Sequence, residues 1–325
     1  MIASRRSFPL FLLCTHLGST DDLSTPLTTR EWNQLEKRLS ANSLSAADLL
    51  GLNESQIKTV VPSGVVDSKR LSKLLSRQTL VERELERLDS AGIWAITRND
   101  YDYPSRFRER LKKTSPVILY GAGDVQLLNT PGLAVVGSRD IDPSLVSITE
   151  FVGNACAESK LTVYSGGARG VDKTAMSAAL AAGGTVVGLL ADSLEKACRL
   201  QDARQFIEDG RLVLATTFSP DSGFSVGMAM TRNKLIYALS DYALVIASDA
   251  ERGGTWSGAS EALKSDWIPL FILEGPNVPE GNRLLIKRGG IPFPESYDDS
   301  PDSLRNWFEE HAAARRPVAI QGTLF

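Results

Sequence analysis

Glycine and arginine occur together at three places where a backbone turn could hold a phosphate. They are Gly137-Ser138-Arg139, Ser165-Gly166-Gly167-Ala168-Arg169-Gly170 and Arg252-Gly253-Gly254-Thr255. Glycine lets backbone N–H groups converge on an anion, a following helix start adds partial positive charge, and arginine adds a fork of donors. These residue types in this pattern predict phosphate binding.

Two further basic segments are candidates for the same site. Arg232-Asn233-Lys234 is predicted to lie at the start of a helix, and Lys287 lies in a basic run bounded by glycines. We expect Arg139, Arg169 and Lys234 to line one groove. The predicted DNA- or phosphate-binding residues are Gly137, Ser138, Arg139, Ser165, Gly166, Gly167, Arg169, Gly170, Arg232, Asn233, Lys234, Gly254, Thr255 and Lys287.

Short apolar runs alternate with helical patterns in the second part of the chain, as in a sheet buried on both faces. This rhythm predicts an α/β fold with a Rossmann-like, doubly wound, mostly parallel sheet, preceded by a small all-helical domain. Ligands of such sheets lie beyond the carboxyl ends of the strands, where the glycine-rich turns occur. The predicted strands are 133–136, 161–164, 185–190, 212–215, 242–247 and 268–273, and the predicted helices are 143–159, 171–182, 194–208, 231–239 and 258–264.

The first 110 residues show no strand pattern and are predicted to form short helices, with Trp32, Leu35 and Leu39 on one apolar face. The run Leu49-Leu50-Gly51-Leu52 partly resembles a helix-hairpin-helix turn, and an ordinary helix–helix turn is the alternative. The predicted domains are 1–110, helical; 111–298, Rossmann-like and binding DNA or nucleotide; and 299–325, a short helix and tail.

Composition limits the classes of function. Three scattered cysteines and two histidines give no metal-ligand spacing and no catalytic dyad, so we expect no metal, no cofactor and no catalytic residues. The net charge is −3, so a phosphate-binding surface must be local. Residues 1–115 carry 18 basic and 14 acidic side chains, which leaves them at +4.

No segment approaches the roughly 20 apolar residues that a membrane span requires. The apolar run after Arg5 and Arg6 is short and is interrupted by Pro9. We interpret it as the first helix of a folded domain and not as a signal peptide. The expected location is therefore the cytoplasm, and we expect no membrane partner.

The glycine-rich turns resemble those of the DprA/Smf DNA-processing family. That family has Gly-Ser-Arg after the first strand, then Ser-Gly-x-Ala-Arg-Gly-x-Asp, Arg-Asn-Arg, a Ser-Gly-Ser/Thr turn and Gly-x-Asn-x-Leu-Ile-x-x-Gly. The corresponding segments here are 137–139, 165–172, 232–234, 253–255 and 281–290, and the resemblance covers about residues 90–295. It implies a protein that binds single-stranded DNA and helps load a RecA-type recombinase during recombination, DNA uptake (transformation) or repair.

The sequence departs from the family at several positions. Phe224-Ser225 stands where the family has Phe-Pro, Lys234 replaces an arginine and so loses bidentate pairing, and Gly253 replaces a serine. Fewer than 35 residues follow Pro294, so we expect this to be a divergent member without the C-terminal winged helix that many members carry.

The last five residues, Gln321-Gly322-Thr323-Leu324-Phe325, resemble the peptide with which replication and repair proteins bind the sliding clamp. Gln321, Leu324 and Phe325 match that pattern, which makes the clamp a candidate partner. The alternative is that Leu324 and Phe325 pack against the chain itself. A homodimer is also left open, because the sequence does not define the oligomeric state.

Two other functions are alternatives. A Rossmann-like domain can be a sensor that binds a nucleotide-derived small ligand, for example in phage defence. A nucleotide phosphoribohydrolase would need Pro-Gly-Gly-x-Gly-Thr-x-x-Glu, whereas the nearest segment here, 253–261, places Glu261 at the wrong spacing. Without a suitable general base, the chain is predicted not to be an enzyme.

Overall fold

The computed structural model describes residues 7–18, 25–61, 66–295, 297 and 304–315. These residues contain nine strands of a mostly parallel sheet, with helices between them and a helical N-terminal part. The predicted α/β fold class is therefore confirmed. The chain divides into two compact units: unit 1 comprises 1–129 and 189–232, and unit 2 comprises 130–188 and 233–325. No helix in the described ranges has the length and apolarity to cross a membrane.

The helices of unit 1 begin where the sequence provides capping side chains. The Thr28 hydroxyl accepts a hydrogen bond from the Glu31 amide while Glu31 reaches back to the Thr28 amide, which forms a capping box. Asn53 and Gln56 form the same arrangement before the third helix. The helices of unit 1 are α1 (Phe8–Cys14), α2 (Thr29–Ala41), α3 (Glu54–Val60), α4 (Ser68–Leu75), α5 (Gln78–Ser90), α8 (Leu194–Cys198) and α9 (Gln201–Glu208).

The apolar run near the N-terminus forms a buried helix, α1, as predicted. Its end is held by Arg77, whose guanidinium donates hydrogen bonds to the carbonyls of Leu12, Thr15 and Leu17. Burial lowers the pKa of Arg77, and these carbonyls compensate for the lost water. Arg77 thus satisfies helix-end carbonyls that would otherwise lack donors.

Three strands belong to unit 1: β1 (Trp94–Thr97), β2 (Ile118–Ala122) and β6 (Leu212–Thr216). Strand β2 pairs antiparallel with both others. The expectation that residues 1–110 lack strands is therefore wrong, because β1 lies within them. The strand β1 has only four residues and pairs with a strand more than 20 residues later, so the sequence shows no alternating pattern that would predict it.

Six strands form the parallel part of the sheet, in the order β5-β4-β3-β7-β8-β9. They lie in unit 2 except for the last residue of β5, Leu189, which belongs to unit 1. The chain order reverses between β3 and β7, which makes this pair the topological switch point. The strands are β3 (Gly132–Gly137), β4 (Thr162–Ser165), β5 (Val186–Leu189), β7 (Tyr242–Ala247), β8 (Leu270–Glu274) and β9 (Ile291–Pro294).

Two helices begin earlier than the sequence predicts. The helix α10 starts at Val226, because the Ser225 hydroxyl accepts a hydrogen bond from the Met228 amide and caps it. The helix α11 starts at Gly253, within the glycine pair that the sequence pattern places in a loop. The helices that lie wholly or partly in unit 2 are α6 (Pro143–Glu158), α7 (Val171–Ala181), α10 (Val226–Leu239), α11 (Gly253–Ser265), α12 (Glu280–Lys287) and α13 (Leu304–Arg315).

Candidate nucleic-acid interface

The first two glycine-rich turns meet at the switch point of the sheet in unit 2. The Ser138 amide donates a hydrogen bond of 2.9 Å to the Ala247 carbonyl, so the ends of β3 and β7 are joined. The Ser138 hydroxyl lies 3.3 Å from the same oxygen. Ligands of doubly wound sheets bind outside the carboxyl ends of strands at this kind of position.

The loop after β4 packs directly against the loop after β3. Gly170 has a φ of +81°, and a Cβ added to it would lie 2.4 Å from the Ser138 carbonyl oxygen and 2.5 Å from that of Arg139. Gly137 has no room for a Cβ because Val171 lies 2.4 Å from that point. Glycine at these two positions allows the two loops to approach each other.

Two of the predicted site residues hold this loop in place and face the interior. The buried Ser165 hydroxyl donates a 2.7 Å hydrogen bond to the Val135 carbonyl, and the Gly166 amide donates one of 3.1 Å to the Asp172 carboxylate. Asp172 is itself buried at the start of α7. Ser165, Gly166 and Asp172 therefore position the loop. The residues that could face an anion are those that follow Gly166, at 167–170.

Four consecutive backbone N–H groups form the centre of the candidate site. Within the described residues, the amides of residues 167–170 donate no hydrogen bond to the protein. We call this segment the amide loop. Its two glycines, Gly167 and Gly170, have φ values of +66° and +81°, and Gly167 is exposed. Successive amides in a turn with left-handed residues form a concave site for an anion.

Two of the predicted cations lie beside carboxylates. The Arg169 guanidinium pairs with Asp140 at 2.6 Å, and both side chains are largely exposed, at 74% and 85%. The Lys234 ammonium on α10 pairs with Glu261 of α11 at 2.8 Å. Arg139, between Ser138 and Asp140, is exposed. These three cations are accessible to an anion in solvent.

Arg232 differs from the other predicted cations. It is only 5% exposed and belongs to unit 1, where its guanidinium donates a 2.8 Å hydrogen bond to the Leu189 carbonyl at the end of β5. The structure also places it in the second turn of α10, and not at a helix start as the sequence predicts. Arg232 therefore supports the backbone at the end of β5.

The third glycine-rich turn is connected to α10 by Asn233. The Asn233 side-chain amide donates a 3.1 Å hydrogen bond to the Gly254 carbonyl, and a Cβ on Gly254 would lie 2.8 Å from that nitrogen. Thr255 follows in the first turn of α11 and is partly exposed. Burial raises the pKa of Tyr237, one turn further along α10, and the nearby Asp172 carboxylate raises it further, so the phenol stays neutral.

Two residues that the sequence analysis did not assign to the site also hold the turn after β7. The fully buried Asn282 side chain donates to the carbonyls of Ile246 and Leu273 and accepts from the Ser248 amide, each within 2.9 Å. A single asparagine in an otherwise apolar helix face is the signal that could have identified it. Arg288 lies over the Trp256 ring at 4.5 Å and pairs with Glu251.

The structure thus brings the turns at 137–139 and 165–170 into contact, and Asn233 into contact with Gly254. Lys287 is exposed as the last residue of α12, next to Arg288. The proposed clamp-binding residues Gln321, Leu324 and Phe325 lie outside the described residues.

A family model described as DNA recombination-mediator protein A matches residues 94–299 of the chain. The chain is 31% identical over 184 residues to DNA processing protein DprA of Streptococcus pneumoniae, a match that spans 54% of this chain and 62% of the relative. It is 27% identical over 274 residues to Protein Smf of Escherichia coli, across 81% of this chain and 72% of that protein.

Solved structures show the same fold. The structure of DNA processing protein A from Streptococcus pneumoniae superimposes with a TM-score of 0.66 at 19% identity, covering 88% of this chain and 94% of that one. A structure of the Helicobacter pylori protein, determined to describe its single-stranded DNA binding mode, gives a TM-score of 0.53 at 25% identity and covers 67% of this chain and 94% of that chain.

Proposed function

We propose that this chain, which belongs to the DNA recombination-mediator protein A family, binds single-stranded DNA at the amide loop of unit 2. The observation that supports this most directly is the row of four N–H groups at residues 167–170 that have no acceptor among the described residues. A phosphate oxygen is the acceptor that such a concave row fits. Arg139 and Arg169 provide charge next to it, and a relative binds single-stranded DNA.

The other predicted residues divide into two roles under this proposal. Gly137, Ser138, Gly167, Gly170, Gly254 and Thr255 form the backbone surface, and Lys234 and Lys287 extend its charge. Ser165, Gly166, Asn233 and Arg232 act through the hydrogen bonds that position the loops.

The first test is a titration with a long oligothymidine at several salt concentrations. Changing Arg139 and Arg169 together to alanine should weaken binding by about 1–3 kcal/mol for each lost charge-assisted contact. The slope of log affinity against log salt should fall by about 0.7 for each lost phosphate. The matched control removes two cations elsewhere in unit 2, Lys264 and Arg305. Affinity that is the same in the double variant and the control contradicts the proposed site.

A sensor for a nucleotide-derived small ligand is the second candidate, because four neighbouring amides without acceptors among the described residues can also be satisfied by a single phosphate group. The two functions differ in salt dependence: several phosphate contacts give a steep slope, and a mononucleotide gives a shallow one. If a mononucleotide displaces the oligothymidine at micromolar concentration and the salt slope is near 1, the sensor is the better interpretation.

We also propose that the DNA-bound protein delivers a RecA-type recombinase, as the family resemblance implies, in the cytoplasm during recombination, transformation or repair. The measurement is the rate of recombinase assembly on DNA coated with single-strand binding protein, with and without this chain. An unchanged rate at saturating protein rules out the loading role and leaves DNA binding unaffected. Light scattering of the same preparation determines whether the chain is a homodimer.

A sliding clamp is a further proposed partner, through Gln321, Leu324 and Phe325. Two adjacent apolar side chains and one amide suit a preformed pocket with a polar rim. Pull-down with the clamp should succeed with the full chain and fail with L324A/F325A. Equal capture of both forms, or capture of neither, contradicts this partner.

A further inference from the structure

Unit 1 carries a second cluster of exposed cations, on the helix α2 and in the segment 107–114. Arg30 and Lys37 are exposed on α2, and Lys112 and Lys113 are exposed in a 3₁₀ turn, Lys112–Thr114. We call these four residues the α2 basic surface. None of them belongs to the site described above.

Helix geometry and one hydrogen bond bring the four residues together. Arg30, Asn33 and Lys37 are spaced by three and four residues, so they share one face of α2. The Asn33 side-chain amide on that face donates a 2.6 Å hydrogen bond to the Lys113 carbonyl. The cations of the helix and those of the turn therefore lie on either side of one contact.

The turn that carries the two lysines is firmly held. The buried Ser115 hydroxyl donates to the Phe107 carbonyl at 2.6 Å, and the Thr114 hydroxyl donates to the Leu111 carbonyl at 2.7 Å. These two bonds fix the backbone of the turn, and the Asn33 hydrogen bond connects it to α2. A preorganised group of cations loses less entropy when it binds a ligand.

Two carboxylates of α2, next in sequence to Arg30 and Lys37, are already engaged. Glu31 pairs with Arg70 at 2.6 Å, and Glu36 pairs with Arg98 at 2.8 Å. Glu109 is exposed in the preceding turn. Among the described residues, none of the four cations has a carboxylate within 4.0 Å, whereas Arg169 and Lys234 of unit 2 both do.

The dimensions and chemistry of the surface indicate the ligand. Arg30 and Lys37 are seven residues apart, about 10 Å along the helix, so a single phosphate cannot contact both ends, whereas a polymer of phosphates can. The apolar side chains of α2, Trp32, Leu35 and Leu39, are buried. The helix therefore offers no apolar anchor of the kind that protein partners use, and nucleic-acid interfaces are polar and positively charged.

We propose that the α2 basic surface is a second contact for the phosphodiester backbone of single-stranded DNA, in addition to the amide loop. This proposal rests on the proposed function, since it assigns the same ligand to a second surface. The two surfaces are on different units and are therefore testable with separate variants.

The experiment compares K112Q/K113Q and R30Q/K37Q with the parent in oligothymidine titrations across salt concentrations. Each double variant should weaken binding about threefold to thirtyfold and reduce the salt slope by up to about 1.4, at roughly 0.7 for each phosphate contact. The control is K69Q/K73Q, which removes two exposed lysines from α4 of the same unit. Thermal unfolding of each variant confirms that it is folded.

The outcomes separate this proposal from the proposed function. If both variants match the control while R139A/R169A weakens binding, the second contact is wrong and the amide loop stands. If only the α2 variants lose binding, the second contact stands and the amide loop is wrong. Displacement of the DNA by polyglutamate at equal charge concentration contradicts the choice of nucleic acid as the ligand, and absence of DNA binding by the parent contradicts both proposals.

Discussion

Individual carboxylates next to the candidate site set how much of its positive charge is available. Asp140 lies 2.6 Å from the Arg169 guanidinium, and Glu261 lies 2.8 Å from the Lys234 ammonium. A phosphate that binds either cation must displace its carboxylate or accept it as a neighbour. Exposed pairs of this kind contribute little to the stability of the fold. Their main effect is therefore on the affinity of the site for an anion.

Replacing Asp140 with asparagine should therefore strengthen binding of single-stranded DNA by about threefold to fivefold, because Arg169 no longer has a competing partner. The salt slope should change by less than about 0.7, because Arg169 contacts a phosphate in both proteins and only the competition from Asp140 is removed. E261Q should act in the same direction through Lys234. The measurement is the same oligothymidine titration at several salt concentrations.

The control for these variants is E309Q, which removes an exposed carboxylate that pairs with Arg305 on α13 of the same unit. It changes the net charge by the same amount without changing the candidate site. If D140N and E309Q raise the affinity equally, the effect comes from net charge alone, and the competition between Asp140 and phosphate is refuted.

At the scale of elements, one ionic contact joins two helices of unit 1. Glu31 at the start of α2 pairs with Arg70 of α4, and this hydrogen bond, together with those from Thr28, lowers the pKa of Glu31 from 4.5 to about 2. A carboxyl whose pKa is lower in the folded state stabilises the fold above its unfolded pKa. That contribution is lost as the pH falls from about 4.5 towards 2.

E31Q should thus be less stable than the parent at pH 7, by about 1 kcal/mol or less because the carboxylate is partly exposed to solvent. The difference should shrink as the pH falls through this window, where the parent also loses the charge. Urea unfolding at pH 7 and pH 3 measures it, with E54Q as a control on α3. A deficit in E31Q that is constant with pH would show that the ionic contact is not its cause.

The contact between the loops after β3 and β4 also belongs to the scale of elements, and it depends on glycine. Gly170 and Gly183 both have a positive φ, of +81° and +83°, but only Gly170 has backbone atoms where a Cβ would lie. G183A is therefore a control for a positive φ alone, whereas G170A adds the cost of a ψ of −133° and of pushing the loops apart.

G183A should destabilise the protein by about 1 kcal/mol, the cost of a left-handed residue with a Cβ. G170A should cost about 2–4 kcal/mol because the loop after β4 must also move away from the carbonyls of Ser138 and Arg139. It should lose at least about tenfold in DNA affinity, and G183A should lose none. Chemical denaturation and oligothymidine titration measure both effects; equal DNA affinity in the two variants contradicts the role of loop contact.

At the scale of the whole molecule, the units do not follow the chain in order. Unit 1 contains residues 189–232 in addition to the N-terminal part, because β2 pairs with β6, about 90 residues later. The domain boundaries at residues 110 and 298, which assume domains that fold on their own, stay a prediction. The chain has a net charge of −3, and the two surfaces proposed to bind DNA are local exceptions to it.

The sequence by itself predicted the elements that depend on local pattern. Six predicted strands, β3 to β8, agree with the structure to within about two residues, since buried strands are short apolar runs bounded by turns. The glycine-rich turns at the switch point were also predicted, because glycines after a strand and before a helix are typical of a tight turn that can hold an anion. The family resemblance followed from the same residues.

Only the tertiary structure decided which polar groups remain available to a ligand. Arg232, Arg139 and Arg169 are equivalent in the sequence, yet the Arg232 guanidinium is buried against the Leu189 carbonyl and Arg169 is exposed beside Asp140. Likewise, Gly166 gives its amide to Asp172, whereas the next four amides have no acceptor among the described residues. A backbone or side-chain polar group that bonds within the protein is not available to a ligand. Long-range packing determines which polar groups find a partner within the protein and which remain available.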